Sequence, residues 1–139
     1  MISAIAETIE VTLKEAVFGQ LADALDRAVV TGTHYTLTLS GEVSQFTRFN
    51  RAKVRQAGQV SDGNLTLTLM QSERTASATV PFVGEFETDW PLLKTAFDQL
   101  QAMVPQLPVG PFVVLPIGSA TSRTVHRGAL LGAEAIAPT

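Results

Sequence analysis

Apolar residues recur every fourth position at Leu13, Val17, Leu21, Leu25 and Val29, then every second position at Tyr35, Leu37 and Leu39. The first spacing is that of a helix with one buried stripe. The second is that of a strand with one buried face. Period two returns at Leu65, Leu67 and Leu69, alternating with Thr66 and Thr68. It returns again at Ala76, Ala78 and Val80, alternating with Thr75, Ser77 and Thr79. Helical spacing reappears at Leu93, Phe97, Leu100 and Val104. A helix, then strands, then a helix, each with one apolar face, must bury those faces against each other. The pattern therefore predicts an α+β, two-layer fold: a mostly antiparallel sheet of about five strands with two helices packed on one face.

Local signals set the expected boundaries. The first helix is predicted over 12–30, with Thr12 as N-cap, Glu15 completing a capping box and Gly32 as the stop. Residues 44–50 and 53–60 read as two weaker strands. Ser61-Asp62-Gly63-Asn64 reads as a hairpin turn, because Asp-Gly favours positive φ, and Gln71-Ser72-Glu73-Arg74 as a second turn. Residues 55–80 thus read as an antiparallel meander. Asp89 is expected to cap the second helix, with Pro91 in its first turn and Pro105 and Pro108 ending it. Phe112-Val113-Val114-Leu115 reads as a short edge strand, and 117–139 as a linker or the start of a missing C-terminal domain, after an α+β domain over 1–116.

Composition narrows the function classes. At 139 residues the chain is the size of one domain. Cysteine is absent, which excludes disulfides, thiolate metal sites and a cysteine nucleophile. Thirteen acids against ten bases give a net charge of −3, which disfavours a globally basic nucleic-acid binder. No apolar run approaches the ~18 residues of a membrane span, and no secretory signal opens the sequence, so no membrane association is expected and the cytoplasm is the expected location. The two histidines, His34 and His126, stand apart and outside any His-Glu-x-x-His spacing. Ser119 follows a glycine but lacks the rest of a nucleophile elbow. Glu85, Glu87 and Asp89 alternate without the further oxygen ligands a hard cation needs. Thr36, Thr38, Thr66, Thr68, Thr75, Ser77 and Thr79 predict a hydroxyl-rich second sheet face that meets water, another domain or a chamber.

One stretch is chemically distinctive. Arg48, Arg51, Lys53 and Arg55 put four of the ten basic residues into eight positions with no acid among them, beside Phe46 and Phe49. Asn50 and Gln56 add amides. Interleaved bases and aromatics suit single-stranded nucleic acid. Arginines equally suit carboxylates on a peptide or a partner surface. A solvated hairpin with core phenylalanines is the plain alternative. Alternation places Thr47 and Arg48 on opposite faces.

The same stretch carries a family resemblance. Ser44-Gln45-Phe46-Thr47-Arg48-Phe49-Asn50-Arg51-Ala52-Lys53-Val54-Arg55-Gln56-Ala57 resembles the N-terminal domain of the TldD/PmbA proteins, metallopeptidases also labelled modulators of DNA gyrase. Asp62-Gly63-Asn64-Leu65-Thr66-Leu67 and the flanking helices extend the resemblance over roughly 13–115, and only 47–56 is motif-like. The resemblance implies a cytoplasmic role in proteolysis within a homo- or heterodimer of related subunits acting on peptides. The family's His-Glu-x-x-x-His motif, with its zinc, belongs to the region that follows this domain and is absent here. No catalytic, metal or cofactor residue is therefore carried onto this chain. The expectation is a non-catalytic N-terminal module that helps form a substrate chamber and dimer interface, with Thr47, Arg48, Asn50, Arg51, Lys53, Arg55 and Gln56 as candidate partner- or peptide-binding residues. The alternatives are a nucleic-acid-binding module using 46–56 and a stand-alone dimerisation or interaction domain.

Overall fold

The computed structural model describes residues 2–126. Two helices, a short 3-10 turn and three strands follow in the order α1 (Ile2–Ala28), β1 (Thr33–Asn50), β2 (Lys53–Gln71), β3 (Arg74–Pro81), α2 (Phe86–Met103) and a 3-10 turn at Val104–Gln106. The strands form one sheet in the order β1-β2-β3. β2 and β3 are antiparallel, with Leu67 opposite Ala78 and Gln71 opposite Arg74. The chain divides into two compact units, one of Met1–Gly41 with Asp62–Pro116 and one of Glu42–Ser61 with Ile117–Thr139.

The core lies in the first unit and follows the periods of the sequence. Leu65, Leu67 and Leu69 of the central strand are fully buried. Leu21 and Leu25 of α1 and Leu93, Phe97 and Leu100 of α2 join them in one apolar cluster. Tyr35, Leu37 and Leu39 of β1, and Ala76, Ala78 and Val80 of β3, are half-buried against it because edge strands are covered less completely. Both helices thus pack on the leucine face. The opposite face carries the hydroxyls, with Thr66 3.1 Å from Thr79 and Thr68 2.6 Å from Ser77.

The α+β class holds, but three strands replace the expected five. The segments 44–50 and 53–60 are the far ends of β1 and β2, joined by a two-residue turn at Arg51-Ala52. Asp62-Gly63 is no turn: it lies inside β2. Its glycine answers a different need. A Cβ on Gly63 would sit 2.9 Å from the Phe82 carbonyl oxygen, and one on Gly41 would sit 2.7 Å from that of Asp62. Glycine here permits close backbone approach, and Phe82 N–H donates to the Gly63 carbonyl at 2.9 Å. The expected turn at 71–74 forms, with Ser72 and Glu73 at its centre.

Other boundaries also shift. α1 starts at Ile2, ten residues before Thr12, because 2–11 holds no glycine or proline and several good helix formers. Thr12 is therefore interior and caps nothing. Glu85, not Asp89, occupies the N-cap of α2, and Pro91 falls in the second turn rather than the first. The stretch 112–115 forms no strand. Gly110 N–H donates to the Glu73 carbonyl at 2.8 Å, and Arg74 Nε to the Leu107 carbonyl at 2.8 Å, which ties 107–110 to the β2–β3 turn. Most of the expected connection, 127–139, lies outside the described residues. Among the described residues no helix is long and apolar enough to cross a membrane.

Asp89 has a more consequential role than a cap. It is fully buried, and its carboxylate turns back to accept the N–H groups of Val83 at 2.9 Å, Gly84 at 2.8 Å and Glu85 at 2.9 Å. The whole β3–α2 connection is folded around this one side chain. Its negative charge in the first turn is also favoured by the helix dipole. Asp89→Ala leaves three donors without acceptors and is expected to cost about 3 kcal/mol, with Asp89→Asn losing roughly half of that. Urea denaturation of the two variants checks this, and unchanged midpoints would refute it.

A second polar link joins β1 to α1. The Tyr35 hydroxyl donates to Asp26 Oδ1 at 2.6 Å and lies 3.1 Å from the Ala22 carbonyl oxygen. Burial pushes the phenol well above its ordinary pKa of 10.0, and the hydrogen bond to Asp26 and the charges of Asp26 and Asp23 act in the same direction. Above pH 10.0 the unfolded chain loses this proton while the folded chain holds it, so the link's contribution is complete below that pH and declines as pH rises. Stability measured against pH should fall more steeply above pH 10 in the wild type than in Tyr35→Phe.

Candidate functional site

The arm Glu42–Ser61, which shares the second compact unit with Ile117–Thr139, gathers the basic stretch. It carries Arg48, Arg51, Lys53 and Arg55 against the single acid Glu42, a net charge of +3 in a chain whose total is −3. The rest of the molecule is thus at −6. Arg48, Asn50, Arg51, Lys53, Arg55 and Gln56 are exposed, and Thr47 is half-buried. None of the four cations has an ion-pair partner among the described residues.

Strand geometry sorts these side chains. Along β1, alternation puts Phe46 and Arg48 on one face and Thr47 and Phe49 on the other. The Phe46 ring lies over Gly58 of β2, where a Cβ would come within 2.9 Å of the ring carbon Cζ. An aromatic ring covering a cross-strand glycine supplies the packing that the glycine lacks. Gly58 therefore shares the Phe46 face. Near the tip, the two-residue turn at Arg51-Ala52 sets Asn50 opposite Lys53 and Arg48 opposite Arg55, so these four side chains share one face and Thr47 and Gln56 take the other. The candidate residues sit on one arm but divide between its two faces.

The aromatics do not serve as core. Phe46 is 37% and Phe49 55% exposed, and Val54 and Val60 are 43% and 50% exposed. The plain reading of a hairpin with core phenylalanines is therefore set aside. A ribbon with exposed apolar groups and exposed cations is suited to holding an anionic, partly apolar ligand.

The remaining polar candidates do not assemble. His34, His126, Ser119, Glu85 and Glu87 are exposed, while Asp89 is occupied with backbone N–H groups. Among the described residues no three His, Cys, Asp or Glu side chains gather where they could hold a metal ion.

Two features of the arm escape inspection of the sequence. Nothing in residue type announces the ring of Phe46 over Gly58, since their pairing depends on register. The turn is equally silent. Arg51 and Ala52 have φ of 52° and 61°, left-handed values that two-residue hairpin turns require and that usually select Asn-Gly. Arginine and alanine accept this conformation at a cost of about 1 kcal/mol each. Replacing them by Arg51→Asn and Ala52→Gly should stabilise the arm by about 1.4 kcal/mol and slow its amide hydrogen exchange about tenfold. Unchanged exchange in the arm would show that the turn carries no such strain.

No family model matches this chain, and neither a curated protein nor a solved structure does.

Proposed function

We propose that the chain is a non-catalytic N-terminal module of a TldD/PmbA-like metallopeptidase, helping to form a peptide chamber and a subunit interface. The observation that carries this reading is the segment 47–56, whose resemblance to that family falls on an exposed, cationic ribbon attached to an α+β unit. A peptide-handling role uses what the ribbon offers: donors for carboxylates, apolar side chains in water, and strand backbone. The acid–base and metal chemistry of peptide hydrolysis would come from a separate catalytic region, to which zinc would bind. The net negative charge of the chain weighs against nucleic acid as the ligand.

Two measurements test the proposal. The purified 139-residue chain should hydrolyse no peptide with or without added zinc. Immunoprecipitation from the source cells, followed by mass spectrometry, should return a His-Glu-x-x-x-His sequence in the same polypeptide or in a co-purifying subunit. Metal-dependent hydrolysis by the purified chain, or an immunoprecipitate without that sequence, would overturn it.

A further inference from the structure

In the first unit, β3 is the last strand of the order β1-β2-β3 and pairs with β2 along one side. The tight turn at Ser72-Glu73 makes Gln71 and Arg74 a hydrogen-bonded pair, so Ala76, Ala78 and Val80 also bond to β2. Thr75, Ser77 and Thr79 then turn their backbone N–H and C=O groups away from the sheet, and all three residues are exposed. The close hydroxyl pairs Thr66–Thr79 and Thr68–Ser77 agree with this phase, because side chains approach most closely at non-hydrogen-bonded positions. Among the described residues, the one backbone hydrogen bond that reaches 73–80 from outside the sheet is the Gly110 N–H to the Glu73 carbonyl, at the turn.

Sheet edges are ordinarily blunted by a lysine, a proline or a bulge. β3 has none of these between Arg74 and Pro81. It reads Thr75-Ala76-Ser77-Ala78-Thr79, uncharged and the same in both directions. An interface between two copies related by a two-fold axis must be self-complementary. Antiparallel strands centred on Ser77 meet that need residue by residue: Ser77 faces its own counterpart, Thr75 faces Thr79, and Ala76 faces Ala78. The outward groups at 75, 77 and 79 fall into register as hydrogen-bonded pairs, each exchanging two bonds. A strand edge of this length is short of the ~1,000 Å² of a stable interface, so a second contact is needed. α2, which packs over β3, supplies it. Phe86 and Trp90 lie on one flank of α2, half-buried against the core cluster. Leu92 and Met103 lie on the other, ~20° apart around the helix axis, and are 44% and 48% exposed. α1 is tied to β1 at the far side of the sheet, so the buried flank of α2 faces α1 and the exposed flank overhangs the free edge of β3.

We propose that the outer edge of β3 binds a second copy of this chain. The two β3 strands pair antiparallel about Ser77 and join the two sheets into one, with the Leu92–Met103 flanks of the two α2 helices packed above the seam. The hydroxyl faces of the two copies become one continuous face. This names the partner for the subunit interface of the proposed function and rests on that reading for its setting. The pairing itself needs no peptidase region and no residue of the arm.

The test uses the purified full chain with no other protein present, so its result is separate from the immunoprecipitation outcome. Sedimentation equilibrium should give a dimer at about 100 μM. Ser77→Lys and Ser77→Asp should each weaken the dimer at least tenfold while keeping the wild-type far-ultraviolet circular dichroism. A mixture of the two should dimerise again, because position 77 faces itself. The chain has no cysteine, so one introduced at this position reports on the two-fold directly. Ser77→Cys should form a disulfide-linked dimer under mild oxidation, since hydrogen-bonded partners lie ~5.5 Å apart at Cα. Thr68→Cys, on the same face but one strand inward, has its counterpart about 14 Å away and should cross-link at least tenfold more slowly. Cysteine is nearly the size of serine, so the register stays testable if a charged variant fails to fold. A wild-type chain that is monomeric at that concentration, a dimer indifferent to Ser77→Lys, a mixture no tighter than its components, or equal cross-linking at 68 and 77 would each overturn the proposal.

Discussion

The fold depends on the burial of three leucines on one strand. Leu65, Leu67 and Leu69 occupy the inward face of the central strand, and both helices exist in their observed positions to cover them. Each buried leucine contributes roughly 2 kcal/mol of transfer free energy, and the three together exceed what any polar contact in the chain supplies. Once this face is covered, the opposite face has no choice but to be the hydroxyl face, because side chains on a strand alternate. Edge strands inherit the same orientation, half-buried where their apolar residues meet the helices.

That hierarchy explains what was legible in the sequence. The leucine spacings were readable because burial acts on periodicity directly, and the core contains Leu21, Leu25, Leu93, Phe97 and Leu100 from the apolar stripes of the two helices. Strand ends were less readable because local turn chemistry is a weak term. Asp62-Gly63 carries a strong hairpin signal, yet the strand runs through it: its partner strand continues alongside, and the glycine serves the close approach of Phe82. Arg51-Ala52 carries no turn signal, yet the chain reverses there. Long-range pairing settled both, and one sequence does not display long-range pairing. Asp89 is a milder case. Its residue type suggested a helix start, and the helix does start nearby, but its three backbone partners lie upstream in the connection rather than within the helix.

The candidate site was legible in composition and hidden in geometry. The run of four cations marked the arm without the structure. The division between faces did not follow from it, since one residue of register exchanges the two faces. The two-residue turn at Arg51-Ala52 fixes that division near the tip, setting Arg48 opposite Arg55 and Asn50 opposite Lys53. The arm's lack of internal ion pairs follows from the scarcity of acid nearby, with Glu42 alone in Glu42–Ser61.

The open hydroxyl face has its own chemical character. A hydroxyl has one proton to give and two lone pairs to receive with. In the pairs Thr66–Thr79 and Thr68–Ser77, one proton of each pair is committed to the neighbouring oxygen. What remains toward solvent is rich in acceptors and poor in donors, yet carries no charge. Such a surface attracts groups that bring their own N–H or O–H and does little for a carboxylate or phosphate. The arm and the hydroxyl face therefore speak to opposite halves of the hydrogen-bond vocabulary: the arm offers donors to anions, and the hydroxyl face offers oxygens to donors.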